Sequence, residues 1–332
     1  MIKTTAFLFL FLWITNVFSG EPAVFSKSGT VMGTSLSINV VTENEGIAEL
    51  AFQLAFDEFI RIEKLISSWD STSQTSLINK NAGINPVKVD KELYQLIKRS
   101  IKISKLTEGA FDITTHCLSK LWRFEGQNTK LPESNDIEAK LSLVDYRNIQ
   151  LNDTIQSVFL TKEGMSVGFG AIGKGYAVNK AVAVLQKMGI KAGVVNAGGD
   201  LRAWGNKPDG SSWKVGIKDP NDAANIYSWL DVQDMAVVTS GDYERYFMYE
   251  GIRYAHILNP KSGWPSTGIK SVTVICKDAE LADALATSVF VLGKEKGIEL
   301  INQLNQIEAI IVTDENEFIT SLDLTINPIE IK

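Results

Sequence analysis

The stretch that decides the fold, residues 164–190, reads GMSVGFGAIGKGYAVNKAVAVLQKMGI. A short apolar run predicts a buried strand, the glycines after it predict a tight loop, and the following periodicity predicts a helix over about 174–188. The glycine loop, residues 168–175, reads GFGAIGKG. Glycines between a strand and a helix let backbone amides and the helix N-terminus contact an anion. The stretch therefore predicts a phosphate-binding unit inside the fold.

The glycine loop satisfies two phosphate-binding motifs only in part. GFGAIG matches G-x-G-x-x-G, but a dinucleotide fold also needs an acidic residue about 20 positions further on, where the next strand ends. Here that strand ends at Asn196, and Asp200 comes late. GFGAIGKG matches a P-loop up to Gly175, where Ser or Thr would bind Mg²⁺. The alternative, glycines that allow close strand–helix packing, stays open at this point.

The remaining elements alternate without a regular βαβ series. Residues 31–41 alternate as a strand, with Met32, Thr34, Leu36, Ile38 and Val40 on one face. Helices are predicted over about 45–67, 91–108 and 279–292, and residues 125–140 read as a polar connection. Further strands are predicted around 192–200, 213–217, 236–239, 252–258, 271–276 and 308–313. This order predicts an α+β fold with mixed sheets in a single domain.

The N-terminus has the pattern of an export signal. It reads MIKTTAFLFLFLWITNVFSGEP, with one lysine, a short apolar run and then small residues. We therefore predict a signal peptide over residues 1–20 and a single mature domain over 21–332, in an exported, periplasmic protein. The apolar run is shorter than the roughly 20 residues of a membrane span. The alternative is an uncleaved anchor that would hold the protein at the inner membrane.

Composition narrows the possible ligands. The net charge is −6, which gives no basic footprint for nucleic acid. The chain has two cysteines, Cys117 and Cys276, and two histidines, His116 and His256. These are too few for a typical zinc or iron–sulfur site, so we expect a hard cation held by oxygen ligands. One pair of cysteines predicts no disulfide framework.

The helix over 279–292 contains a candidate metal site. Its sequence is apolar nearly all round, which predicts burial, yet Asp283 sits in its middle and Thr287 follows one turn later. A buried carboxylate must be paired or bind a metal, and two oxygens one turn apart suit Mg²⁺. The alternative is an aspartate paired elsewhere, with Thr287 bonded back to its own helix.

Two further segments carry candidate site residues, each with a plain structural alternative. His256 precedes an Asn-Pro turn and is a candidate general base or an ordinary surface histidine. Trp69, in the polar loop SSWDSTSQTS, is a candidate stacking platform or a loop anchor. Together with the glycine loop and Asp283, they indicate Mg²⁺-dependent handling of a nucleotide diphosphate. FAD suits an exported enzyme better than ATP does.

Eight short motifs in order resemble the ApbE family of FAD:protein FMN transferases, once called thiamine biosynthesis lipoproteins. They are MGT at 32, SSWDSTSQTSLIN at 67, GAFDIT at 109, GAIGKGYAV at 170, VNAGGDLRAWG at 195, TSGDYERYF at 239, HILNPKSGWP at 256 and ADALATS at 282. Each motif is weak alone, but eight in this order are specific. The resemblance implies an α+β, ApbE-like fold related to the T-fold.

The resemblance also implies chemistry and site residues. Members transfer FMN from FAD to a threonine hydroxyl of another protein and release AMP, with Mg²⁺ as cofactor. The implied flavin-nucleotide contacts are Met32, Trp69, Ala110, Phe111, Asp112, Gly168, Lys174 and Ile257. The implied metal ligands are Asp283, Thr287 and the backbone carbonyls of Ala171 and Ala286, and the catalytic candidates are His256 and Asp283. On this view the glycine loop brings a carbonyl to the metal and Lys174 to the nucleotide.

The chain departs from the family pattern at two site positions. The family usually has an acidic residue three positions before the loop alanine, where this chain has Gly168. A tyrosine is common in the family at the position of Trp69. The implied acceptors are subunits of membrane redox pumps with an S/T-G-A-T-like motif, of the NqrB, NqrC and RnfG type. Two other functions stay open: an FAD pyrophosphatase, and an exported flavin-binding protein without catalysis.

Overall fold

The computed structural model describes residues 20–122, 124, 130–220, 225–322 and 324. Residues 1–19, which hold nearly all of the predicted signal peptide, lie outside the described residues, so that peptide stays a prediction. Within the described ranges no helix is both long enough and apolar enough to span a membrane.

The helices pack mainly through buried apolar stripes. The α-helices are α1 (Glu45–Ile66), α2 (Gln74–Lys80), α3 (Lys91–Leu106), α4 (Ser134–Leu141), α5 (Gly173–Lys187), α6 (Ala279–Leu292) and α7 (Lys294–Asn302). Short 3₁₀ helices span Ile113–Leu118 and Tyr146–Asn148. Asn44 is the N-cap of α1, and its side chain accepts hydrogen bonds from the amides of Gly46 and Ile47. The predicted helices over 45–67, 91–108, 174–188 and 279–292 are confirmed to within a few residues.

The strands form one large antiparallel sheet and three small sheets. They are β1 (Ala23–Val31), β2 (Thr34–Thr42), β3 (Val87–Lys88), β4 (Ile149–Asn152), β5 (Ser157–Leu160), β6 (Gly193–Ala197), β7 (Asp200–Trp204), β8 (Trp213–Lys218), β9 (Ile226–Val232), β10 (Ala236–Gly241), β11 (Tyr246–Tyr249), β12 (Ile252–Ala255), β13 (Ile269–Cys276), β14 (Glu308–Thr313) and β15 (Phe318–Thr320). The large sheet has the order β1-β2-β6-β7-β10-β13-β14-β15. The small sheets are β3-β5-β4, β8-β9 and β11-β12.

The large sheet has helices on one face and a hairpin on the other. Alternate residues of each central strand point to opposite faces, so Val195 packs in the core with the helices and Val194 packs with the β8-β9 hairpin. The same alternation places Val238 with α6 and Val237 with the hairpin. Both faces are therefore buried at the centre of the sheet, and α5 and α6 lie together on its helical face. This arrangement confirms the predicted α+β fold, but every strand pair in the described residues is antiparallel, whereas the sequence predicted mixed sheets.

The predicted strand over residues 31–41 is broken near its start. Met32 and Gly33 both have positive φ, of 52° and 70°, and form the two-residue turn of the β1-β2 hairpin. Such a turn matches the twist of an antiparallel pair. Leu36, Ile38 and Val40 are fully buried, as the alternation predicts. Met32 is instead placed at a hairpin tip, so the prediction that it shares the strand was wrong.

The predicted strand before the glycine loop is also absent. Residues 165–169 have no regular secondary structure and belong to no sheet. The side chain of Asn79 takes the place of a neighbouring strand: its amide donates to Val167 O at 2.9 Å and its oxygen accepts from Val167 N at 2.8 Å. Gly168 N donates to Ile113 O. These long-range hydrogen bonds satisfy the buried backbone, which local sequence does not reveal.

The structure corrects one further prediction and shows the state of the two cysteines. The polar connection predicted over 125–140 contains α4 in its described part, because Ile137 packs into a small aromatic cluster. Cys117 and Cys276 are both free and buried, in different hydrophobic clusters.

Candidate active site

A single large cavity gathers most of the predicted site residues. It has a volume of about 970 Å³, at the upper end of the range for small-molecule sites. The predicted residues on its wall are Met32, Trp69, Phe111, Asp112, Gly168, Ala171, Lys174, His256, Ile257, Asp283 and Thr287. Ala110 and Ala286 are buried and do not line it.

The glycine loop brings two helices into close contact at the bottom of this cavity. A side chain at Gly175 would place its Cβ 2.0 Å from Ala279 O and 2.8 Å from Asp283 Cβ, so only glycine fits between α5 and α6. Gly175 N donates to Asp283 Oδ2 at 3.0 Å. An amide of the first turn of α5 therefore binds the protein's own carboxylate, and the loop serves helix packing as much as ligand binding.

Three ionisable side chains, those of Lys174, Asp200 and Asp283, meet in the buried part of the site. Lys174 Nζ lies 2.8 Å from Asp200 Oδ1, and the Asp200 side chain is fully buried. Neither Asp200 oxygen has an aligned hydrogen-bond donor among the described residues. Burial raises the pKa of Asp283, and the Asp200 charge raises it further, although Lys174 and the Gly175 amide oppose the rise. Burial lowers the pKa of Lys174, but Asp200, Asp283 and Glu244 more than compensate and keep it charged.

The oxygen donors here fit a hard divalent cation. Asp283 and Thr287 lie one turn apart on α6 and both face the cavity. The Thr287 hydroxyl makes no hydrogen bond to any residue the structure describes, so the alternative of a bond back to its helix is not seen. Ala171 presents its part of the loop to the same cavity. A buried carboxylate with underused oxygens, a free hydroxyl and nearby loop carbonyls are the ligands that Mg²⁺ prefers.

The loop after α1 presents Trp69 to the cavity. Ser67 Oγ accepts hydrogen bonds from the amides of Trp69 and Asp70, which fixes the start of the loop. Trp69 is nevertheless 77% exposed, the most exposed large hydrophobic side chain of the cavity wall. A tryptophan anchoring its loop would be buried, so its exposure favours the stacking interpretation.

Asp112 has a structural function in the wall. One carboxylate oxygen accepts from the Thr114 amide and hydroxyl at 2.8 and 2.7 Å, which caps the 3₁₀ helix Ile113–Leu118. The other oxygen accepts from Tyr146 N at 2.8 Å. Burial raises its pKa despite these hydrogen bonds. Both oxygens therefore help to hold the wall together, and a contact between Asp112 and a ligand stays a prediction.

His256 has the tautomer of a base. Its Nδ1 lies 3.1 Å from Arg245 O, and a carbonyl oxygen only accepts, so Nδ1 carries the proton and Nε2 has a free lone pair. Burial lowers the pKa of His256 to about 4; the hydrogen bond to the Arg245 backbone opposes this shift, and the charges of Arg245 and Lys174 add to it. The imidazole is therefore neutral near pH 7, which a general base requires.

The structure adds three residues that the sequence interpretation did not select. Asp200 pairs with Lys174, Glu244 lines the cavity, and His116 packs against Trp69. Glu244 is open to solvent through the cavity, yet surrounding protein raises its pKa to about 7, an effect that Lys174 partly opposes. Glu244 belongs to the TSGDYERYF motif, so the sequence identified the motif but not the role of Glu244 within it.

Comparisons with known proteins point to one family. The ApbE family model matches residues 32–311. The chain is 35% identical to an FAD:protein FMN transferase of Klebsiella pneumoniae (strain 342), over 90% of this chain and 92% of that protein. It is 30% identical to an FAD:protein FMN transferase of Treponema pallidum (strain Nichols), over 87% of this chain and 84% of that protein.

Solved structures point to the same family. The ApbE protein of Thermotoga maritima superposes with a TM-score of 0.84 at 33% identity, over 90% of this chain and 97% of that one. The flavin transferase ApbE of Vibrio cholerae gives a TM-score of 0.81 at 27% identity, over 91% and 98%. The predicted ApbE-like fold is thereby confirmed. Because the family match covers most of the chain and the relatives align nearly end to end, this protein belongs to the ApbE family.

Proposed function

We propose that this chain is an FAD:protein FMN transferase, which moves FMN from FAD to a threonine hydroxyl of an acceptor protein and releases AMP. The observation that carries the proposal is one cavity whose wall holds an exposed aromatic ring, a buried lysine, a neutral histidine and an aspartate–threonine pair. These groups suit a flat ring, a diphosphate, a hydroxyl proton and a divalent cation, respectively. The names of the relatives support the same activity.

Each site residue of the chain has a separate role in this proposal. Trp69 would stack on a flat ring of FAD, and Lys174 would bind the diphosphate as a charged amine that Asp200 holds in place. Asp283 and Thr287, with loop carbonyls, would hold Mg²⁺. When bound, Mg²⁺ neutralises diphosphate charge and stabilises the leaving phosphate.

The transfer is a displacement at phosphorus. The threonine oxygen of the acceptor forms a bond to the FMN-side phosphorus, and the bond from that phosphorus to the bridging oxygen breaks, so that AMP leaves with the oxygen. The hydroxyl proton passes to Nε2 of His256, whose lone pair is available because Nδ1 donates to Arg245 O.

The partners and location follow from the same proposal. The acceptor would be a redox-pump subunit of the NqrB, NqrC or RnfG type, with its threonine in an S/T-G-A-T-like motif. The enzyme would act outside the cytoplasm, in the periplasm and near the inner membrane. The short apolar N-terminal run supports this location.

The test mixes the mature chain with FAD, Mg²⁺ and an acceptor domain that carries the motif. Flavin fluorescence on a denaturing gel reports covalent transfer, and chromatography measures free AMP and FMN. The matched control is the same acceptor with valine in place of the motif threonine, which keeps the shape but removes the nucleophile. A second control adds EDTA.

We expect a fluorescent acceptor band and one AMP per flavin transferred, both absent with the valine acceptor and with EDTA. Free FMN and AMP at equal rates with either acceptor would replace the transferase with an FAD pyrophosphatase. FAD that binds and stays intact with several acceptors would leave only a flavin-binding protein.

A further inference from the structure

His116 occupies the space that a side chain at position 168 would fill. A Cβ on Gly168 would lie 2.8 Å from both Cγ and Nδ1 of the imidazole. Gly168 is held in place from the same side, because its amide donates to Ile113 O in the 3₁₀ helix that carries His116. The absent side chain at 168 and the position of the His116 ring are therefore parts of one packing arrangement.

The hydrogen bonds of Ser119 define the tautomer of His116. Ser119 Oγ donates its single proton to His116 O at 2.8 Å. It also lies 3.3 Å from His116 Nδ1, and with its proton already used it can only accept there. Nδ1 is therefore the protonated nitrogen of the neutral ring, and Nε2 has the free lone pair.

That lone pair has no protein partner in the described residues. His116 lines the cavity, and its ring meets Trp69 edge to face, with centroids 5.7 Å apart and planes at 85°. Burial lowers the pKa of His116 to about 4, with the Lys120 charge as a second cause, so the ring is neutral near pH 7. An acceptor that is half-buried, such as His116 Nε2, is costly to leave without a donor once a ligand excludes water from it. A ligand stacked on Trp69 would therefore have to supply that donor.

We propose that His116 is a further ligand-binding residue, whose Nε2 accepts a hydrogen bond from a ring-edge N–H group of FAD. The inference rests on the proposed function, since it takes FAD as the ligand. FAD has such donors at two places, the N3–H of the isoalloxazine and the amino group of adenine. Either donor would make the same hydrogen bond to Nε2 of His116, and the experiment distinguishes between the two.

The test compares two amide variants that imitate the two ring nitrogens. Asparagine places its amide near Nδ1 and loses the Nε2 acceptor, whereas glutamine places an oxygen near Nε2. Titration calorimetry measures the Kd for FAD, FMN and AMP, and thermal unfolding checks the fold. We expect His116→Asn to weaken FAD binding about tenfold, the loss of one hydrogen bond, and His116→Gln to recover most of it.

Gly168→Ala provides an independent second variant. Its Cβ would displace the imidazole, so it should weaken FAD binding about as much as His116→Asn does, and the double variant should show little further loss. Nitrogen NMR of the unmodified protein tests the contact without any substitution, because the Nε2 resonance of His116 should shift when FAD binds.

The outcomes separate this inference from the function on which it rests. A loss shared by FMN assigns the donor to the isoalloxazine, and a loss shared by AMP assigns it to adenine. Equal FAD affinity in His116→Asn, or an Nε2 signal that FAD leaves unchanged, overturns the inference. FAD binding with these losses but without transfer to any acceptor overturns the proposed function alone. An unmodified protein that binds no FAD overturns both.

Discussion

The buried part and the more exposed part of the cavity wall are built by different means. The charged floor, which comprises Lys174, Asp200, Asp283 and Thr287, lies on α5, β7 and α6. The ring-binding rim, which comprises Trp69, His116 and His256, lies on a loop, a 3₁₀ helix and the residue after β12. Floor groups are held by one another and by packed helices, whereas the ring of each rim histidine has one hydrogen-bond partner, the Arg245 backbone oxygen for His256 and the Ser119 hydroxyl for His116.

This difference predicts which substitutions will have the largest effects on the enzyme. Charges in the floor are desolvated, so removing one partner leaves another charge buried without compensation. Rim residues remain partly exposed and lose only their own contact with the ligand. The floor should therefore determine whether the reaction proceeds, and the rim should determine how tightly the ring system binds and where the proton goes.

The largest effect is expected in the floor, from Asp283→Asn. Asparagine can keep a contact with the Gly175 amide but lacks the charge that a cation needs. We expect AMP release to fall about a thousandfold, as several kcal/mol of transition-state stabilisation by the metal are lost. The measurement is AMP release against Mg²⁺ concentration.

The matched control for this variant lies one turn earlier on α6. Glu280 is also buried, but it pairs with Arg99 at 2.6 Å and does not line the cavity. Glu280→Gln should lower thermal stability and keep the Mg²⁺ dependence. An Asp283→Asn enzyme with normal rate and normal Mg²⁺ response would show that the floor holds no metal.

The next effect belongs to the rim. His256→Asn keeps a group near Nδ1 that can donate to Arg245 O but removes the Nε2 base, so we expect kcat to fall about a hundredfold while the Kd for FAD changes little. Calorimetry and single-turnover transfer measure the two quantities separately. A proportional loss of both would make His256 a binding residue.

The pH dependence distinguishes His256 from Glu244. The working form of His256 is neutral, and its lowered pKa of about 4 means that protonation begins only near that value. The rate at saturating FAD should stay level from pH 8 to about 5 and fall below. The pKa of the Glu244 carboxyl is raised to about 7. If the rate already falls near pH 7, and the Glu244→Gln enzyme no longer shows that fall, Glu244 is the base.

A smaller effect tests whether helix packing positions the floor. Gly175→Ala would force α5 away from Ala279 O, with a loss of about 1–3 kcal/mol in the free energy of unfolding from overpacking. The same shift would weaken the Gly175–Asp283 contact and raise the Mg²⁺ concentration needed for turnover. Gly170→Ala is the control, since a Cβ there meets no atom within 4 Å. Equal stability of both variants would show that the helices adjust freely.

The smallest effect is expected at the most exposed residue. Trp69→Ala should weaken FAD binding about tenfold, because stacking of one ring on an aromatic side chain contributes about 1–3 kcal/mol. Trp69→Phe should keep most of the affinity, and both variants should unfold at nearly the original temperature because the side chain is 77% exposed. A large fall in melting temperature with unchanged FAD affinity would make Trp69 a loop anchor.

Local pattern was a good guide wherever neighbouring residues decide the structure. The periodicity over α1, α3, α5 and α6 predicted those helices, since burial of one helix face repeats along the chain. It failed at residues 165–169, which look like a strand but pair with the Asn79 side chain from α2. It also missed the turn at Met32, because alternation continued across it.

The sequence by itself determined the α+β class, the main helices and the candidates Trp69, Lys174, His256, Asp283 and Thr287, since each lies in a short segment with a readable pattern. Only the tertiary structure decided that Lys174 is paired with Asp200, that Gly175 separates two helices, and that His116 fills the space at Gly168. Each of these contacts joins residues from different elements. Their distances depend on how the sheet and helices pack, which no local pattern encodes.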